Sequence, residues 1–170
     1  MIMKGGKKMK IEVREAVESD LKSFIDLIER MKRLNGEFDP LFSVEEEKRL
    51  VAEKFYINCI KDKENYIVIV AEIEKKLVGI LKAEIRKRIY YTPDKEARII
   101  DLYIMPEFRR NKVGAALLDL FYGKLKQRGI TIVTAEFPAL NLIALNFYKK
   151  IGYRNISSVF GTTIEKDKEH

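Results

Sequence analysis

The hydrophobic period changes twice between residues 97 and 136, and this change constrains the fold more than any other feature. Residues 97–105 read as an extended strand. From Val113 onward, apolar residues recur at helical spacing until Gly129. Residues 130–136 are strand-like again. A strand, a helix and a strand in immediate succession predict a parallel crossover unit.

The rest of the chain predicts antiparallel pairing around that unit. Five segments precede the crossover unit. We predict a strand at 11–15, followed by a helix that starts at 21 and stops at Asn35-Gly36 and a second helix from 43 to 60. The last two segments, 66–73 and 77–89, are predicted to form a hairpin. A helix capped by Asn141 and an extended segment at 153–164 follow the crossover unit. We therefore predict an α/β fold with a mixed sheet, in one domain over residues 11–165. Residues 1–10 are expected to be a basic flexible tail and residues 166–170 a charged one.

Composition excludes several classes of protein. Hydrophobic residues make up 46% and charged residues 35%, which is typical of a globular chain and not of long disorder. No apolar run suits a membrane span or a secretory signal, so we expect a cytoplasmic protein with no membrane partner. The single cysteine, Cys59, excludes an internal disulfide. The single histidine, His170, argues against a zinc cluster or a histidine-based triad.

The formal charge of +7 raises the question of nucleic acid. Four of the cationic side chains lie in the first ten residues, and without them the charge falls to +3. A short basic tail adds only salt-dependent, nonspecific attraction to polyanions. Nucleic-acid binding is therefore the least favoured of the functions that we consider.

The basic turn at residues 106–115 is the best candidate for a ligand site. It joins a predicted strand to a predicted helix, where free backbone N–H groups favour an anion. The turn places three cationic side chains, those of Arg109, Arg110 and Lys112, at the positive end of the helix dipole, which destabilises the free helix. A bound phosphate would make the same arrangement favourable. Gly114 and Ala115 are small enough to let a ligand lie close. A solvated basic turn is the competing interpretation. Neither GxxxxGK[ST] nor GxGxxG is present.

Two motifs resemble those of the GNAT superfamily of N-acetyltransferases. Residues 102–118 read LYIMPEFRRNKVGAALL and are similar to its acetyl-CoA signature, (Q/R)-x-x-G-x-(G/A). Residues 141–153 read NLIALNFYKKIGY and resemble its second motif, N-x-x-A-x-x-(F/L)-Y-x-K-x-G-(F/Y). The predicted order of elements also matches. The resemblance implies a twisted, mostly antiparallel mixed sheet with a late βαβ crossover and helices on both faces.

The resemblance also implies roles for particular residues, with acetyl-CoA as acetyl donor and no metal. The pantetheine arm and acetyl carbonyl would be held by the backbone of Leu102, Tyr103 and Ile104. The pyrophosphate would be held by a motif that begins at Arg109 and by the backbone amides of Arg110, Asn111, Lys112, Val113, Gly114 and Ala115. Asn141 would contact the cofactor arm, and Tyr148 would protonate the departing thiolate. Asn141 as a simple cap and Tyr148 as a core residue are the alternatives.

One departure from the family pattern is Lys112, which stands where the signature has its first glycine. We expect this lysine to adopt an ordinary helical conformation, because L-residues avoid the left-handed region. Its ammonium group could itself meet a phosphate.

The acceptor amine must be uncharged when it attacks. Neutralising a lysine amine at pH 7 costs roughly 4–5 kcal/mol, against about 1 kcal/mol for a peptide α-amine, so a general base is needed most for lysine. We favour Glu136, since a matching glutamate serves as base in the bacterial ribosomal-protein alanine N-acetyltransferases. Asp101 and Glu84 are the alternatives, and each could be an ordinary surface carboxylate.

We therefore predict an N-acetyltransferase that acetylates a primary amine, a protein or peptide N-terminus or a lysine, by direct attack in a ternary complex. Cys59 lies apart from both motifs, so no acyl-cysteine is expected. The acceptor is expected to approach from the loop at 34–42, from Tyr90 and Tyr91, and from a final hairpin at 157–161. A polyamine-like acceptor, a noncatalytic acetyl-CoA-binding module and a homodimeric assembly remain open.

Overall fold

The computed structural model describes residues 2–4 and 7–164 of the chain. The strands are β1 (Ile2–Lys4), β2 (Lys7–Met9), β3 (Glu12–Glu15), β4 (Tyr66–Ile73), β5 (Lys76–Lys87), β6 (Lys95–Ile104) and β7 (Val133–Ala135). The α-helices are α1 (Leu21–Phe38), α2 (Arg49–Lys61), α3 (Val113–Gln127) and α4 (Leu142–Lys150). The predicted tail at 166–170 lies outside the described residues. None of the helices in the described part combines the length and apolar character needed to cross a membrane.

Five strands form the main sheet in the order β3-β4-β5-β6-β7. All neighbours pair antiparallel except β6 and β7, which are parallel and joined through α3. The predicted mixed sheet with one late crossover is confirmed. β1 and β2 pair with each other in a separate two-stranded sheet.

The helices cover both faces of this sheet. On β5, a Cβ added to Gly79 would lie 3.1 Å from Val113 Cγ1, so this side of the strand packs directly against α3. Lys82 lies three residues after Gly79 on the same strand, so its side chain points to the other face. Its ammonium nitrogen is 5.9 Å from the ring centre of Tyr56 on α2. Successive side chains of a strand point to opposite faces, so α3 and the α1–α2 pair lie on opposite sides.

A β-bulge interrupts β6 where it crosses the middle of the sheet. Lys82 on β5 is opposite Asp101, but the next residue, Ala83, is opposite Ile99, which leaves Ile100 as the extra residue. A bulge shifts the alternation of backbone and side chains by one residue. Before the bulge, β6 directs the backbone groups of Ala97 and Ile99 toward β7.

Three of the sequence predictions differ most from the structure. α1 continues through Asn35-Gly36 to Phe38, because it is Asp39, extended ahead of Pro40, that ends the helix. α2 begins only at Arg49, after a short 3-10 turn, since Ser43 bonds the Pro40 carbonyl instead of capping a helix. Residues 153–164 form no strand in the described structure, so the predicted final hairpin is wrong.

An ion pair between the partly buried Arg14 and the nearly buried Asp20 holds the start of α1 against β3. Asp20 accepts hydrogen bonds from Arg14 Nη1 at 2.7 Å and Nη2 at 2.9 Å, and from the backbone N–H of Val17 at 2.8 Å. The hydrogen bonds from Arg14 lower the pKa of Asp20 below its ordinary value. A carboxyl with a lowered pKa in the folded state stabilises the fold above the pKa of the unfolded chain.

We expect Asp20→Asn to lower the free energy of unfolding by about 1–3 kcal/mol at pH 7, because it removes a charged acceptor from three donors. The difference from wild type should be complete above about pH 4, the pKa of an unfolded aspartate, and vanish as pH falls through the lower folded value. Urea denaturation between pH 2.5 and 7 measures this. Asp119→Asn, at an exposed position of α3, is the control. An equal loss at all pH values would contradict the ionic origin.

Candidate active site

Strands β6 and β7 separate from each other halfway along β6. They pair only from Ala97–Ile99 with Val133–Ala135 in the described structure, and the last contact is Glu136 N donating to Ile99 O at 2.9 Å. β7 ends there while β6 runs on to Ile104. The remaining edge of β6 is therefore open. We call this opening between the two strands the fork.

The backbone of β6 beyond the bulge offers hydrogen-bonding groups to the fork. Met105 N donates to Val78 O at 2.9 Å, so Met105 and, two residues earlier, Tyr103 face β5. Because backbone groups alternate along a strand, those of Leu102 and Ile104 face the fork. The expectation that the backbone of Tyr103 also holds the ligand is wrong, because it faces β5. The Ile104 carbonyl accepts from Arg109 Nε at 3.1 Å. An extended ligand could pair with this edge as an added strand.

The turn between β6 and α3 has an unusual backbone. Arg110 and Lys112 both have left-handed conformations, with φ of 66° and 62°. The expectation that Lys112 is helical is wrong. The turn is held on both sides by the buried residues Phe108 and Val113, and the Lys112 carbonyl accepts the first helical bond, from Ala116 N at 3.0 Å. These anchors impose on Lys112 the conformation that glycine adopts most easily.

The first turn of α3 sits against both the end of β6 and α4. Lys112 precedes the helix and has no side-chain acceptor with which to cap it, so the first amides of α3 are left for another partner. Gly114 is buried, and a Cβ there would come within 3.0 Å of Ile104 Cδ1 and 3.5 Å of Phe147 Cε2. Packing alone therefore requires a small residue at 114. Ala115 is exposed beside it.

Helix α4 brings Asn141 and Tyr148 to the same end of the molecule. Asn141 Oδ1 accepts from Ala144 N at 3.0 Å, so the predicted cap is confirmed. Tyr148 is buried, with its ring stacked on Phe137 at 5.3 Å and 9° and its edge toward Phe147. Burial raises the pKa of Tyr148 above the ordinary phenol value. The hydroxyl consequently keeps its proton at neutral pH.

The three candidate carboxylates have different surroundings. Glu136 lies at the mouth of the fork, is 57% exposed in its side chain and accepts from Arg98 Nη1 at 3.1 Å. Glu84 is partly buried and accepts from Lys82 Nζ at 3.1 Å. Asp101 is fully buried and accepts from Lys32 Nζ at 2.6 Å and from Tyr56 Oη at 2.9 Å. Glu136 is thus the most accessible of the three.

All three carboxylates lie on the α1–α2 face of the sheet. Asp101 is the register partner of Lys82, and Glu84 is that of Arg98. Arg98 in turn is opposite Thr134 on β7, two residues before Glu136. The α1–α2 face of the sheet therefore carries the buried charges of β5 and β6.

The partners of Asp101 were not predicted from the sequence. Lys32 and Tyr56 come from α1 and α2, and Lys82 from β5. Lys82 is 2% exposed and stands alone in the apolar run of residues 77–83, which was the available signal. A lone lysine in a strand of that kind indicates a buried ionic partner.

Two other groups bear on the chemistry. Burial raises the pKa of the Cys59 thiol to about 11, which leaves it protonated and a poor nucleophile at neutral pH. The described residues contain no group of three side chains suited to holding a metal ion.

Comparison with known proteins shows the relationships of this chain. It is 25% identical over 149 residues to an N-acetyltransferase of Methanocaldococcus jannaschii described as uncharacterised, covering 88% of this chain but only 63% of that protein. An acetyltransferase of Clostridium acetobutylicum, solved with acetyl-CoA, superposes with a TM-score of 0.75 at 14% identity, over 91% of this chain and 96% of the other. An aminoglycoside acetyltransferase from an uncultured soil metagenomic sample, solved with trehalose, superposes with a TM-score of 0.67 at 25% identity. The superposition covers 91% of this chain and 97% of the other.

The family model for the GNAT acetyltransferases matches residues 28–153. That span includes the fork, the basic turn and α4, and it covers well over half of the chain. The chain therefore belongs to the acetyltransferase (GNAT) family.

Proposed function

We propose that this protein transfers the acetyl group of acetyl-CoA to a primary amine, by direct attack within a ternary complex. The observation that carries the proposal is the fork, whose open β6 edge leads directly into the basic turn and the start of α3. Such an edge suits the amide-bearing pantetheine arm, and uncapped helix amides suit a pyrophosphate. The acceptor class that we favour is a peptide or protein N-terminus or a lysine, with a small polyamine-like amine as the alternative.

The donor would extend along β6 with its phosphates at the turn. The backbone of Leu102 and Ile104 pairs with the pantetheine amides. The hydrogen bond from Arg109 Nε to the Ile104 carbonyl breaks, so that this carbonyl can accept from the ligand. The amides of residues 110–115 surround the pyrophosphate, and the cationic side chains of Arg110 and Lys112 add charge. Asn141, while capping α4, borders the same arm.

The reaction forms one C–N bond and breaks one C–S bond. The neutral amine attacks the thioester carbon, and the oxyanion is stabilised by backbone N–H groups near Leu102. Collapse expels the thiolate, which takes the proton of the Tyr148 hydroxyl. Glu136 accepts the proton that the amine loses, directly or through one water. A phenol suits the first role because it holds its proton at neutral pH, passes it to the thiolate as the C–S bond breaks and regains a proton from solvent before the next turnover. An accessible carboxylate at the fork suits the second role.

The surroundings of the other two carboxylates support Glu136 as the base. Asp101 has no exposed surface and already accepts two hydrogen bonds. Glu84 is bonded to an ammonium group that is itself almost fully buried. Proton exchange with solvent, which a base requires in each turnover, is easiest at Glu136.

The proposal is tested by thiol release from acetyl-CoA over a panel of a free-N-terminus peptide, an Nα-blocked lysine peptide, a polyamine and an aminoglycoside. We expect turnover with at least one amine, and a loss of about 10²-fold or more in kcat for Tyr148→Phe, which keeps the ring stack but removes the proton donor. Tyr122→Phe removes a neighbouring hydroxyl, which is hydrogen-bonded to that of Tyr153 at 2.9 Å, and should keep most of the activity; it is the control for the tyrosines around Tyr148. Calorimetric binding of acetyl-CoA without turnover on any amine would favour a noncatalytic module.

Glu136→Gln should lower kcat by about 10²-fold at pH 7, because the amide cannot take the proton that the amine loses. Glu84→Gln, the matched change at the competing position, should retain most of the activity. The measurement is kcat against pH for the best acceptor. Wild-type kcat in Glu136→Gln would remove this residue as the base.

Two substitutions, Lys112→Gly and Lys112→Ala, separate the effect of the left-handed backbone on stability from the effect of the lysine charge on acetyl-CoA binding. Both remove the ammonium group, but only glycine relieves the left-handed conformation, so Lys112→Gly should be about 1 kcal/mol more stable than Lys112→Ala in urea denaturation. Both should bind acetyl-CoA severalfold more weakly at low salt, with a smaller salt dependence than wild type. Unchanged affinity in both variants would show that Lys112 does not contact a phosphate.

A further inference from the structure

The buried carboxylate of Asp101 has a set of partners that the proposed mechanism does not use. Its Oδ1 accepts from Lys32 Nζ at 2.6 Å and its Oδ2 from Tyr56 Oη at 2.9 Å. Lys82 Nζ lies 4.0 Å from Oδ2. Burial, followed by the charge of Asp101, raises the pKa of Tyr56, so this phenol remains a hydrogen-bond donor.

The two lysines beside Asp101 are held in different ways. Lys82 is 2% exposed, bonded to Glu84, and surrounded by the rings of Phe55 at 4.9 Å and Tyr66 at 5.4 Å. It is a permanent part of the interior. Lys32 is 36% exposed in its side chain and reaches Asp101 from α1. Its ammonium group is therefore the partner that can be exchanged, because its stem already leads to solvent.

Asp101 lies directly beside the part of β6 that borders the fork. Its neighbours in the chain are Ile100, the bulged residue, and Leu102, whose backbone faces the opening. Consecutive Cα atoms are about 3.8 Å apart, so the carboxylate is one residue away from the backbone that would hold an acetyl carbonyl. Its side chain points to the α1–α2 face, the same face as Glu136 on the adjoining strand.

We propose that Asp101, oriented by Tyr56, is the subsite for the ammonium group of the acceptor, and that Lys32 occupies it until an acceptor displaces it. The proposal rests on the proposed N-acetyltransferase function and narrows the acceptor class. A path shaped for a lysine stem admits a primary ammonium on a slender unbranched alkyl chain, such as a lysine side chain or a linear polyamine. Asp101 binds the acceptor, and proton removal remains with Glu136.

The competing explanation is a purely structural ion pair. A fully buried carboxylate needs a cationic partner wherever it lies, and breaking such a pair destabilises the fold in either case. The two explanations differ in whether a free alkylammonium competes with the acceptor.

The first experiment measures ligand binding without catalysis. Lys32→Ala removes the side chain that occupies Asp101. n-Butylammonium chloride should then raise the Tm of this variant by about 3–6 °C at ten times the dissociation constant. Wild type, in which Lys32 competes for the site, should shift by no more than about 1–2 °C at the same concentration. Lys124→Ala, which breaks the Lys124–Glu15 pair (3.0 Å) on another part of the protein, should match wild type. Tetramethylammonium at equal concentration, which has no N–H donor, controls for salt. The shift should disappear in the double variant with Asp101→Asn.

The second experiment tests by steady-state kinetics whether the acceptor binds at Asp101. Lys32→Met keeps a flexible unbranched side chain but removes the ammonium group that competes for Asp101, so it should lower KM for the best linear amine about tenfold, with kcat changed less than twofold. Butylammonium should inhibit it competitively against the acceptor and not against acetyl-CoA. Lys124→Met should match wild type. Lys32→Met also replaces Lys32→Ala in the thermal measurement if the alanine variant does not fold.

The outcomes separate the two proposals. No butylammonium shift in the Lys32 variants, or a shift with unchanged KM and no competition with the acceptor, overturns the subsite and leaves the pair structural. If no amine in the panel is acetylated, the proposed function fails, while the thermal shift and its dependence on Asp101 still decide whether the carboxylate binds an alkylammonium.

Discussion

The early end of the pairing between β6 and β7 is the constraint on which the rest of the site depends. The two strands share hydrogen bonds only as far as Ile99 and Glu136, and the bulge at Ile100 then reverses which backbone groups of β6 face outward. Without the bulge, the groups of Leu102 and Ile104 would face β5 and the open edge would present the groups of other residues. The bulge therefore leaves backbone groups of β6 available to a ligand just before the chain turns into α3.

The sheet divides its two faces between different tasks. On the α3 face, Gly79 and Gly114 allow the helix to approach so closely that a single added Cβ would contact Val113 or Ile104 at about the limit of tolerated packing. On the α1–α2 face, Lys82 and Asp101 are almost without exposure, yet each has an ionic partner. Buried charges are costly unless they are paired, so this face must keep its geometry for the fold to be stable. A rigid charged face beside an open strand edge is suited to orienting a cationic acceptor.

Much of the architecture could be predicted because it depends on local patterns. The period-two and period-3.6 segments identified β4 to β6, α3 and α4 to within a few residues, and Asn141 was recognised as a cap because capping involves only the next few amides. The errors fall where nonlocal packing outweighs local preference. Gly36 does not stop α1, since Asp39-Pro40 ends it two residues later, and Lys112 is left-handed because buried residues on both sides impose the turn. Residues 153–164 lack a two-residue alternation, with Val159 and Phe160 adjacent, and they pair with no strand.

The sequence by itself determined the order of elements, the crossover unit and the two motifs that relate the chain to GNAT acetyltransferases, because each of these is written in residues close together along the chain. Only the tertiary structure decided which carboxylate is accessible, where the backbone of β6 becomes open, and that Lys32, Tyr56 and Asp101 meet. Those three residues are separated by 69 positions from first to last, counted from Lys32 to Asp101. Their contact depends on two helices packing across a sheet, and no local pattern encodes that distance.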